Sequence, residues 1–357
     1  MAWHWSATIN SRRHDWLLAG ALLGLLPCVL LLAICVGTVD LGVYEALSSL
    51  VSRTNPSDPT LGGSAQLIVQ RIRLPRALLA GLVGAMLGVC GAVTQGLFRN
   101  PLADPSLIGV TAGASLGASL MIVAAGGMLG FSDTFAGSSL ISLGAFGGGL
   151  VSVLLVYRLA TSAEGTSVAT MLLAGIAVTA LAGAVGNLLE LYSADSTLRR
   201  ISLWRMGGLE GANAERVTLA ALVCLLVLAP LPRFSAALDA MLLGESEARY
   251  LGVPVDRVKT VLILLVAIGV GASVALAGTI AFVGLVVPHM MRLIIGPGHR
   301  VLLPVSALAG AILLIFADTL ARTVVSPSEL PVGIVTAIIG VPFFISLLSR
   351  RARFGMS

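Results

Sequence analysis

Charge is scarce in this chain: 11% of its 357 residues are charged against 57% hydrophobic, and the mean hydropathy is +0.99. A soluble globule of that length needs far more charge on its surface, so a soluble fold is excluded and a polytopic membrane protein is expected. Lysine is nearly missing, with Lys259 alone beside twenty-one arginines. A phosphate-cradling P-loop ends in Gly-Lys-Ser/Thr, whereas the one lysine sits in Arg257-Val258-Lys259-Thr260 with no glycine before it, which excludes ATP hydrolysis by that route. Cys28, Cys35, Cys90 and Cys224 all fall inside apolar runs, so neither a disulfide framework nor a zinc site is expected. Aromatics make up 5%, and the arginines are scattered through connecting segments without aromatic interleaving, which sets nucleic-acid binding aside. With no carboxylate pair, nucleophile triad or Cys–His cluster, no enzymatic chemistry, metal or cofactor is expected. His289, after Pro288, and His299 each stand alone and read as structural.

What the chain does have is long apolar runs. The first, Trp16 to Gly37 behind Arg12 and Arg13, resembles a signal peptide in outline, but it is long enough to span and no small-residue cleavage pattern follows, so it reads as the first span. Further windows lie at 77 to 98, 106 to 126, 138 to 157, 168 to 189, 217 to 232, 260 to 278, 280 to 291, 302 to 317 and 331 to 348. The expectation is an all-α polytopic membrane protein of about ten transmembrane helices, forming one transmembrane domain over 1–357 with a tail at 1–15. The run from 260 to 291 is too long for one span; Gly278 and Gly284 offer the break, and the second piece would then be short, ending at Pro288. The gaps at 38 to 70, 190 to 216 and 233 to 259 leave no room for a soluble domain.

An even number of spans puts both termini on one side, and Arg12, Arg13, Arg350, Arg351 and Arg353 assign that side to the cytoplasm. The bias is weak, because Arg53, Arg71, Arg73, Arg76, Arg199, Arg200, Arg205, Arg216 and Arg322 then fall outside. Singly, each can flank a helix and snorkel to headgroups; together they suggest an outward basic rim for an acidic partner. Asp318 lies four residues before Arg322, so on a helix the two share a face, either as simple charge neutralisation or to fix the arginine's rotamer. Glu190, Asp318 and Arg158 fall near segment ends, so the span centres lack the ionisable residues that ion-coupled transport usually needs.

Two stretches are the most informative. In the run from Arg71 to Ala118, glycines at 84 and 88 and at 113 and 117 stand four apart, a spacing that lets membrane helices approach closely. Between them Asn100 and Asp104 frame two prolines in NPLADP, which reads first as a turn and second as a cargo contact. In the cytoplasmic gap at 233–259, Ala236 to Leu243 and Glu245 to Leu251 read as two short helices divided by Gly244, between spans six and seven. Glu245 and Glu247 suit the first turn of the second helix. Such a pair either lies on the membrane surface or seats in a groove of another protein.

The Arg71–Ala118 run closely resembles the signature of the iron-complex, heme and cobalamin importer permeases, membrane subunits of ATP-binding-cassette importers. So do Leu203-Trp204-Arg205-Met206-Gly207-Gly208, the run GTIAFVGLVVPHMMR from Gly278 to Arg292, and the ending LPVGIVTAIIGVPFFISLL, so that the likeness covers nearly the whole chain. It implies a multi-pass protein of the bacterial inner membrane that works as a homodimer, with two separate ATPase subunits and a periplasmic substrate-binding protein. It also implies that Arg73, Arg76 and Arg322 receive the binding protein's glutamates, a task that suits the guanidinium fork. Gly244, Glu245, Ala248, Leu251 and Gly252 match the element that contacts the ATPase. The path between two copies is implied to run along the second and fifth spans, with Met86, Cys90, Gln95, Asn100, Ser167 and Thr170 as its candidates. The Glu-Ala-Arg-Tyr-Leu-Gly-Val segment and the Gly-Pro-Gly-His-Arg loop resemble the heme branch, so heme is the expected cargo. A ferric siderophore or cobalamin, and beyond them an ion-coupled secondary transporter, are the alternatives.

Overall fold

The computed structural model describes residues 2–37, 39, 41–51, 65–127, 135–162 and 165–353. Arg53 of the expected outer rim lies outside them. The helices are α1 (Ala2–Cys35), α2 (Val43–Val51), α3 (Leu74–Leu97, entered through a π-helical turn at Ile68–Arg73), α4 (Val110–Gly127), α5 (Phe135–Ala160), α6 (Val168–Leu191) and α7 (Asp195–Arg205). There follow α8 (Ala214–Leu228), α9 (Ser235–Leu243), α10 (Glu245–Tyr250), α11 (Val255–Ala277), α12 (Val283–Ile295), α13 (His299–Thr323) and α14 (Val332–Arg353). Among the described residues seven helices are long and apolar enough to cross a membrane, and three shorter apolar helices lie at Val110–Ala125, Val283–Ile295 and Val332–Ser346. These coincide with the windows read from the sequence. The first helix runs from Ala2, and its part that is apolar enough to cross a membrane is Asp15–Cys35.

Contacts between loops sort by side, as alternating spans require. On the face assigned to the cytoplasm, Asp239 of α9 meets His299 at the start of α13, and Lys259 of α11 meets Thr166 ahead of α6. On the opposite face Arg76 meets Glu329 in the loop before α14, and the Gly208 N–H donates to Ala277 O at the end of α11.

α3 and α11 are the most enclosed spans, whereas α1, α6 and α8 turn most of their surface outward. A bilayer supplies no hydrophobic drive between helices, so close packing must hold them. The sequence-marked glycines do this. A Cβ on Gly84 would lie 2.2 Å from Gly310 O and one on Gly88 2.3 Å from Ser306 O, both in α13. On α4, a Cβ on Gly117 would lie 2.0 Å from Gly144 O of α5, and one on Gly113 2.5 Å from Gly148 O. In each pair a backbone carbonyl faces the glycine, and at Gly113 Ser152 Cβ is nearer still at 2.3 Å.

The break in the 260–291 run falls at Gly278, with φ +66, and the segment to Phe282 is non-helical. Such backbone survives at membrane depth only when buried in protein or lining a water-filled cavity; here Gly278 is buried, the residues after it are partly exposed, and the segment packs on the end of α7, where a Cβ on Gly207 would lie 2.5 Å from Thr279 O. The expected end at Pro288 is corrected: α12 runs through Pro288 to Ile295. Proline lacks an N–H, so Gly284 O loses its usual partner four residues on. That carbonyl faces Gly91 instead, where a Cβ would sit 1.8 Å from it, and Gln95 Nε2 donates to the next carbonyl, Leu285 O, at 3.0 Å. The proline is thus absorbed by α3.

Candidate functional site

Three regions carry the functional side chains. At the outer end, the π-helical turn delivers Arg73 and the first turn of α3 delivers Arg76. Arg73 is buried; its Nη1 donates to Ile34 O and Cys35 O at 2.7 Å each, and Nη2 donates to Val39 O. These include the last carbonyls of α1, which have no intrahelical partner and favour a cation. Arg76 Nε lies 2.9 Å from Asp318 Oδ1 and its Nη1 2.7 Å from Glu329 Oε2. Asp318, with 1% of its side chain exposed, also pairs with Arg322 Nε at 3.2 Å, and Arg322 Nη2 donates to Ala33 O at 3.1 Å. Two arginines and two carboxylates therefore form one charge-balanced cluster, buried except at Glu329. The i,i+4 relation of Asp318 to Arg322 is as the sequence indicated; the burial of the arginines and the role of Glu329 are not.

Further in, a cavity of about 640 Å³ lies between α4 and α6. Thr111, Ser115 and Ser119 line it at four-residue intervals on α4, Gly175, Thr179 and Gly183 on α6, and Thr279 from the non-helical segment closes one side. Arg205 of α7 reaches it from the outer end, paired with Glu190 at 2.6 Å. The path residues expected on the second span are elsewhere: Met86, Cys90 and Gln95 are sealed in the chain's own interior. Around these three residues α3 is enclosed by α11, α12 and α13. Asn100 makes the turn, its Oδ1 accepting from Leu102 N–H, and Asp104 caps the short helix Pro105–Ile108 by accepting from Ser106 N–H. Ser167 is the N-cap of α6, accepting from Thr170 N–H at 3.3 Å, and both residues are exposed at its cytoplasmic start.

At the cytoplasmic end, α9 and α10 meet at Gly244, whose φ of +139 no side-chain-bearing residue adopts comfortably. Ala248 is fully buried. The exit from α10 is a Schellman motif: Gly252 N–H donates to Arg249 O and Val253 N–H to Ala248 O, with Gly252 at φ +84. The matched glycines are thus both required by backbone geometry. Tyr250 and Leu251, 91% and 66% exposed, present an apolar tip beside them.

An almost entirely helical, multi-pass fold with an arginine–carboxylate cluster at one end and an exposed two-helix elbow at the other fits the class of membrane transport permeases. The chain belongs to the FecCD transport family, whose model matches residues 25–350. It is 41% identical to the hemin transport system permease protein HmuU of Yersinia pestis over 352 residues, covering 96% of this chain and 98% of that one. It is 44% identical to the cobalamin import system permease protein BtuC of Halobacterium salinarum over 292 residues, covering 81% of this chain and 75% of the relative. A metal-chelate type ABC transporter solved in an inward-facing conformation superposes with a TM-score of 0.79 at 31% identity, covering 94% of this chain and 99% of that one. The protein is therefore a permease subunit of an ATP-binding-cassette importer, multi-pass in the inner membrane, and the ion-coupled alternative falls away.

Sequence reasoning missed α2, α7, the cavity's α4 wall and the partners of Lys259. The four-residue spacing of Thr111, Ser115 and Ser119 was the available signal for the cavity; α7 is short and polar, and had none beyond Asp195 in its first turn.

Proposed function

We propose that two copies of this chain, with two ATPase subunits below and a cargo-loaded binding protein above, pass heme inward through the cavity between α4 and α6. The single observation that carries the reading is that cavity: hydroxyl-lined, largely apolar, tipped by Arg205, and beside the outward-turned helix α6. Heme is a large apolar ring with two carboxylates, and a guanidinium at the mouth suits a carboxylate arriving first. The near end-to-end match to the hemin permease supports this cargo. The identity to cobalamin permeases supports the second reading, and a ferric siderophore is the third.

In proteoliposomes holding permease, ATPase and binding protein, hemin is expected to be taken up with MgATP and not when the ATPase is left out. Arg205→Ala should raise the hemin level needed for half-maximal uptake by about tenfold, the equivalent of one lost charged contact. Cobalamin, whose corrin side chains are amides, should lose little by the same change. Retention and uptake of cobalamin rather than hemin would overturn the heme reading.

Docking follows from the outer cluster. Arg76 and Arg322 are buried, and Glu329, which pairs with Arg76, is the most exposed member of the cluster at 31%. On this reading an incoming carboxylate of the binding protein takes the place of Glu329, while Arg73 holds the end of α1 and shapes the rim. Glu329→Gln removes the internal competitor's charge, so it is expected to lower the Kd for the binding protein about three- to tenfold, in the range of one exposed charge pair. Docking that is unchanged or weaker, measured by surface binding to the reconstituted importer, would overturn this arrangement.

A further inference from the structure

Lys259 is the only lysine in a chain that otherwise uses arginine, and it is 2% exposed in the second turn of α11. Its Nζ lies 2.5 Å from Glu245 Oε1 and donates to Thr166 O at 2.8 Å. Burying an ammonium costs several kcal/mol before pairing, and an apolar side chain of similar length usually does as well or better for stability. The residue type therefore asks for an explanation beyond packing. We infer that Lys259 couples the α9–α10 elbow to the cytoplasmic entrance of α6, its one ammonium tying the first residue of α10 to the hairpin that starts α6. This rests on the reading of α9–α10 as the ATPase seat and deepens it.

Each end of the tie is placed to transmit displacement. Glu245 directly follows Gly244, the hinge between α9 and α10 at φ +139, so anything that tilts α10 moves its carboxylate. Thr166 ends the second of two short antiparallel strands, Thr161–Ser162 and Gly165–Thr166, and the next residue, Ser167, caps α6. The strand pair is pinned to itself by the contact between Thr161 Oγ1 and Thr166 Oγ1 at 3.0 Å and by Ser167 N–H donating to Ala160 O at 2.9 Å. A pull on Thr166 O is therefore delivered to the α6 N-terminus as a unit rather than absorbed in a loop.

A parallel contact exists and is weaker. Arg249 of α10 pairs with Asp256 of α11 at 3.3 Å, but about half of each side chain is exposed, and such pairs contribute ~0–1 kcal/mol. A compact ammonium with three donors can serve two segments at once.

The test uses the complete importer in proteoliposomes, with Lys259→Met and Glu245→Gln compared with the parent. Cargo moved per ATP hydrolysed is one readout. Labelling of a Ser167→Cys probe by a thiol reagent, with and without nucleotide, is the other. Lys259→Met should keep hydrolysing ATP while cargo per ATP falls at least about fivefold, the lower end of a typical coupling free energy. The nucleotide dependence of the Ser167→Cys labelling should vanish. Glu245→Gln, which leaves the lysine and its carbonyl contact in place, should give a smaller change in the same direction and keeps the test open if the methionine variant fails to assemble. Parent-like coupling and labelling in either assembled variant would overturn the inference. Leu251→Glu separates the two readings. If the ATPase still co-purifies with it, the elbow reading fails and takes the tie with it. If the ATPase is lost while Lys259→Met couples normally, only the tie is overturned.

Discussion

Arg76→Glu is expected to leave almost no assembled permease in the membrane. The substitution would place a third carboxylate against Asp318 and Glu329, which now sit 2.9 and 2.7 Å from the guanidinium, in a site where Asp318 is 1% exposed. Removing one member of a buried ion pair costs ~3–5 kcal/mol, and the added like charge deepens the loss. Set against a typical stability of ~5–15 kcal/mol, that is much of what the fold has. The combined Arg76→Glu, Asp318→Arg exchange restores the count of two positive and two negative groups and should recover a substantial part of the monodisperse protein. Size-exclusion of the detergent-solubilised protein checks both; a well-assembled single variant would mean the cluster is not what joins α3 to α13 at the outer end. For the same reason a charge reversal at Arg76 is a poor probe of docking, and Glu329→Gln is the better one.

The second large effect is at the α4–α5 contact. Gly117→Leu is expected to separate the two helices, because the new Cβ would start 2.0 Å from Gly144 O, a backbone atom that no rotamer change can move aside. Overpacking of this kind costs ~1–3 kcal/mol or more, and in the bilayer no hydrophobic term replaces the lost close contact. The thermal unfolding midpoint of the purified protein should fall clearly. Gly20→Leu on α1, where a Cβ meets nothing within 4 Å, is the matched control and should leave the midpoint nearly unchanged. Equal midpoints for the two variants would show that the glycine pairs are incidental.

Lipid exposure explains why so much of the architecture was readable. A span must be apolar along its length to cross hydrocarbon, so each of the windows became a helix, including the unusually short α12. Gly84, Gly88, Gly113 and Gly117 announced close helix pairs by spacing alone, and Gly244 marked backbone that must leave the helical region. The turn at Asn100 and Asp104 was legible because short polar side chains beside proline satisfy backbone locally. All of these are local rules that need only a few neighbouring residues.

Which partner each of those elements would take was not legible. Arg76 meets Asp318 across 242 positions and Lys259 meets Thr166 across 93, and no pattern along the chain states such a pairing. Arg73 and Arg76 read as part of a surface rim because arginine usually is one; enclosure by α1 and α13 turned them inward and supplied Ile34 O and Asp318 as partners. Met86, Cys90 and Gln95 read as path residues; their burial within the chain, and the cavity bordered by α4 and α6, appear only in the packed fold. Hydrophobic length and glycine spacing thus set the spans, the turns and the elbow by local physics. Burial, charge pairing and the cavity were decided only when helices distant in the chain were packed together, because desolvation and ion pairing depend on what surrounds a side chain in three dimensions.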